Sequence, residues 1–162
     1  MSKNLSKGRE PGNGAPLARR LDRGHPLGWW RTLRPDLFGD AERHQVRSAL
    51  DGLAVLGAGK NSGAALKGDA AAAISAALSL APVREVTLKV DIAMTALLSC
   101  ALKNDPAAVL VLSHILGLAQ WGDKGAEDLG LAWLDRHIAH PMDPKRFALS
   151  EAALAAAFSR RE

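Results

Sequence analysis

Residues 53–70 read "LAVLGAGKNSGAALKGDA". An apolar run meets Gly57, Gly59 and Gly63 just ahead of a helix-forming segment, and two different folds use such a passage. In an α/β nucleotide-binding domain it is the end of a strand, a glycine loop and the start of a helix. In a helical domain it is the stop of one helix and the cap of the next.

The surrounding sequence favours the second. The glycines are spaced G-x-G-x-x-x-G, one residue longer than the dinucleotide fingerprint. A partner strand at residues 86–90 would end in Asp91, the carboxylate expected to hold a ribose, but Asp91 lies 28 residues beyond Gly63, where about 20 is usual. Lys60 is followed by Asn61, so the passage is no phosphate loop either. At most one further strand, near residues 109–112, is legible, too few for a layered sheet. A nucleotide-binding α/β domain using the loop at 57–63 remains as the second alternative.

Composition points the same way. Ala and Leu supply 55 of the 162 residues while Val, Ile and Thr supply 14, and Tyr is absent. The strongest helix formers therefore dominate the β-branched residues. With only four Trp and three Phe, contacts in the core must come from helices approaching closely through small side chains.

From Asp40 onward the apolar residues recur at helical spacing. Asp40 is expected to cap a first helix whose stripe is Val46, Ala49, Leu50, Leu53 and Ala54, with Gly57 and Gly59 as its stop. Asn61 or Ser62 then caps a second helix running through Leu80, its face formed by Leu66, Ala70, Ala73, Ile74, Ala77 and Leu78. Residues 86–92, "VTLKVDI", alternate as a strand would, yet Val86, Val90, Ala93, Leu97 and Ala101 also form a helical stripe; the length of the apolar segment selects helix. Asp105 followed by Pro106 announces the next helix, nearly all apolar through about Trp121 and therefore the expected centre of the bundle. A helix over residues 127–140 should turn Leu129, Ala132, Trp133 and Ile138 inward, and Ser150 should cap a last one over residues 151–160.

Charge is unevenly placed. Residues 1–34 hold eight Lys and Arg against Glu10 and Asp22, a net +6, so the remaining 128 residues carry −2 of the total +4. Residues 1–38 read as a basic, Gly/Pro-rich arm, largely disordered. Within it Trp29, Trp30, Leu33, Leu37 and Phe38 supply large apolar groups. They are expected either to fold back as an anchor, the favoured account, or to capture a partner, in which case Trp29, Trp30, Leu33 and Phe38 would make the contact. Arg19, Arg20, Arg23, Arg31 and Arg34 are the candidate polyanion-binding residues, able to neutralise phosphates irrespective of sequence.

No residues recommend themselves as catalytic. His137 and His140 lie three apart beside Asp135, but favourable interaction with a helix C-terminus explains them as well as a metal does. Cys100 sits within an apolar stripe as a small hydrophobe. No metal or cofactor is expected. One cysteine and no apolar run of about 20 residues fit a cytoplasmic protein with no membrane span.

The segment "IAHPMDPKRFALSEAALAAAFSRRE", residues 138–162, is similar to the opening of an AraC-type helix-turn-helix segment, with "LSEAALAAAFSRR" where that family places its first motif helix and the start of the turn. The resemblance covers 25 residues and implies DNA binding, although the family's base-reading helix would begin where these residues stop.

The expectation is thus an all-α protein, an irregular bundle of five or six helices over residues 39–162 behind the basic arm. Its expected role is that of a non-enzymatic interaction or regulatory protein, with a protein partner or a homodimer through Ala-rich faces. A nucleic-acid-associated protein using the arm is the alternative.

Overall fold

The computed structural model describes residues 24–56, 63–119 and 124–139, together with positions 144, 145, 148, 151, 152 and 155. The fold is all-α, with no strand among the described residues. Two 3₁₀ turns, Pro26–Arg31 and Pro35–Leu37, lead into α1 (Asp40–Val55), α2 (Gly63–Leu66), α3 (Ala70–Leu80), α4 (Leu88–Leu102), α5 (Pro106–Gly117) and α6 (Lys124–Ala139).

Residues 53–55 belong to α1, with Leu53 and Ala54 packed against the core, and Thr87 is the cap from which α4 starts at Leu88. Neither strand of the α/β alternative forms. The cap of α1 lies one residue earlier than expected, at Gly39, whose backbone N–H donates to Glu42 Oε2 at 3.0 Å. Asp40 and Glu42 then occupy the first turn, where negative charge suits the helix dipole.

The single helix expected to run through Leu80 is two. Gly68, at φ +99°, breaks it in a conformation that side-chain-bearing residues rarely adopt. Asp69 restarts it, its Oδ1 accepting from the N–H of Ala72 at 2.8 Å. Asp105 caps α5 in the same way, accepting from Ala108 N at 2.9 Å with Pro106 as the first helical residue.

The central helix is α4 rather than α5. It touches α1, α2, α3, α5 and the first 3₁₀ turn, whereas α5 packs on α3, α4 and α6. Met94 to Leu102 are buried without interruption, which is why hydrophobic periodicity fades there: a helix surrounded on all sides has no polar face. Ala73, Ala77, Ala101, Ala107 and Ala108 are all interior, so small side chains fill much of the core.

Small residues set the tightest contact, between α5 and α6. A Cβ on Gly130 would lie 2.9 Å from the Ser113 carbonyl oxygen and 3.2 Å from Gly117 N. Ser113 Oγ donates to the Gly130 carbonyl at 2.7 Å across the same crossing. Arginines close the helix ends: Arg43 Nη1 donates to Leu102 O at 2.7 Å, and Arg47 bonds Leu66 O while pairing with Asp51 at 2.7 Å. These cations meet carbonyls left without intrahelical donors.

Candidate interaction surface

The residues nominated as a partner-binding arm are built into the domain. Trp29, Trp30, Leu33 and Phe38 are all buried, Trp30 completely. Residues 24–38 therefore form a strap over α1 and α4. Burying these side chains contributes on the order of 1.5–3 kcal/mol each, more than a water-exposed arm could recover.

The strap is held by polar contacts with α4. Trp30 Nε1 donates to Asp91 Oδ1 at 2.7 Å, and Arg31 Nε reaches the same oxygen at 3.2 Å. Thr95 Oγ1 lies 3.1 Å from the Leu27 carbonyl and 2.6 Å from that of Asp91. Asp91, which the nucleotide alternative would have placed on a ribose, is thus occupied by the protein itself. On the other side of the strap Phe38 stands between Trp29 and Trp133, with ring centroids 6.3 and 6.2 Å away. Arg136 covers Trp133, its guanidinium 5.7 Å from the ring centroid, and donates to Pro35 O at 3.1 Å. Burial, followed by the charge of Arg43, lowers the pKa of Arg136 from its ordinary value.

Of the nominated polyanion-binding residues, Arg31 pairs with Asp91 and Arg34 with Asp36 at 3.3 Å. Arg19, Arg20 and Arg23 lie outside the described residues, as does His140, and His137 is half-buried on α6. Most of the segment that resembles a helix-turn-helix opening also lies outside them. Among the described residues no group of three or more His, Cys, Asp or Glu could hold a metal ion, and no helix is long and apolar enough to cross a membrane.

Cys100 is buried on α4, its Sγ 3.7 Å from the Gly68 carbonyl. Burial first, and then the nearby Asp105, push its thiol from 9.0 up to about 11. The folded state therefore keeps a proton that the unfolded chain releases sooner. Stability present below pH 9 should fall as the pH rises through the range up to about 11. Cys100→Ala is expected to remove that fall, as measured by urea unfolding at pH 8 and 10.5. At neutral pH, iodoacetamide should label Cys100 rapidly only after unfolding.

What remains open is α6. Its inward stripe is Ala126, Leu129, Gly130 and Trp133, at i, i+3, i+4 and i+7. Ile138, expected inward, lies five residues and thus about 140° beyond Trp133 on the helical wheel, and is 71% exposed. Leu131 is 54% exposed on the same outer side, with Leu134 half-buried at its edge. Glu127, Asp128 and Asp135 are exposed beside them, and none takes part in an ion pair between described residues. The outer side of α6 is therefore an apolar ridge with an acidic border.

Shallow grooves run between this helix and the strap. One is lined by Arg31, Thr32 and Arg34 against Gly125, Asp128 and Leu129. A second continues along Arg34, Pro35 and Asp36 against Ala132, Asp135 and Arg136. At the other end, Gly24, His25 and Gly28 share a groove with Arg31 and Thr32. The start of the described chain thus lies one groove away from Asp128.

Comparison with known protein families, curated proteins and solved structures finds no match.

Proposed function

We propose that the protein is a non-enzymatic interaction or regulatory protein whose docking surface is the outer side of α6. The observation that carries this reading is the exposure of Leu131 and Ile138 beside Glu127, Asp128 and Asp135. Two large apolar side chains one heptad apart on one helix leave a ridge that a second helix can cover. The acidic border selects what lies over it, because a partner carrying Lys or Arg beside its apolar stripe gains from approach and an acidic one is repelled. The partner is accordingly a basic amphipathic segment.

Fluorescence anisotropy with two labelled model peptides, one of Leu and Lys and one of Leu and Glu at helical spacing, tests this. The Leu/Lys peptide should bind, more weakly as salt rises, and at least tenfold more weakly to Leu131→Asp/Ile138→Asp. Equal affinity for both peptides, or an unaffected double variant, would reject the surface.

Association with nucleic acid through the basic arm is the second reading, favoured by the net +6 within residues 1–34. Arg31 and Arg34 already have carboxylate partners, so Arg19, Arg20 and Arg23 are the arginines that would meet phosphate. Retention on a polyanion column should then decline steeply with salt and be reduced by Arg19→Ser/Arg20→Ser/Arg23→Ser.

A further inference from the structure

We draw no further inference here: the strongest candidate, the apolar ridge of Leu131 and Ile138 on the outer side of α6, belongs to the surface already described, and nothing in the structure shows what covers it.

Discussion

Replacing Trp30 with alanine is expected to lower the unfolding free energy by about 3–5 kcal/mol, the range for removing a large aromatic side chain from a packed interior. Trp30 is fully buried and also gives up its 2.7 Å contact with Asp91. A typical domain holds only about 5–15 kcal/mol in total, so the urea midpoint should fall sharply with little change in slope. Leu37→Ala, in the same strap at a side chain that is 43% exposed, should cost far less, about 1 kcal/mol or below. The pair separates two ideas of this segment. If the tryptophans belonged to a detachable arm, Trp30→Ala would leave the midpoint unchanged, and deletion of residues 24–38 would leave a folded domain. Their burial over α1 and α4 predicts that deletion unfolds it.

Gly130→Ala and Gly52→Ala should move stability in opposite directions. Both positions are helical, and alanine in a helix is ordinarily favoured over glycine by up to about 1 kcal/mol. At Gly52 a Cβ meets nothing within 4 Å, so that gain should appear nearly in full. At Gly130 the same atom would stand 2.9 Å from the Ser113 carbonyl and 3.2 Å from Gly117 N. Both are backbone atoms of α5 and cannot rotate aside, so the helices must separate, and the Ser113–Gly130 bond stretches with them. The propensity gain is then overwhelmed, for a net loss of about 1–3 kcal/mol. Thermal melts of the two variants provide the comparison, and a stabilised Gly130→Ala would show that the α5–α6 crossing is looser than described.

The helical class was legible because it rests on bulk composition and on cap chemistry. Asp105 and Pro106 marked a helix start that the structure keeps, and the stripe through Val46 and Leu50 marked the buried side of α1. Elsewhere the signal depended on which surfaces other helices cover. Sequence periodicity assigned Ile138 to the core because it is large and apolar, while the close approach at Gly130 fixes α6 with Ile138 outward. Gly68 and Asp69 together spell a stop and a new cap, a local signal that the alanine run on either side obscures. The candidate surface was the least legible part. An exposed leucine reads the same as a buried one, and only the direction in which α5 holds α6 distinguishes Leu131 from Leu129.

The strap's dependence on α4 also orders events during synthesis. Sixty-one residues separate Trp30 from Asp91, and at roughly 5–20 residues per second a ribosome needs about 3–12 s to make the intervening chain. Throughout that interval the two adjacent indoles lack the helix that later shelters them. A nascent polypeptide in this condition is a natural client for a holding chaperone, and slowing translation between these two points should lengthen its dwell on the growing chain.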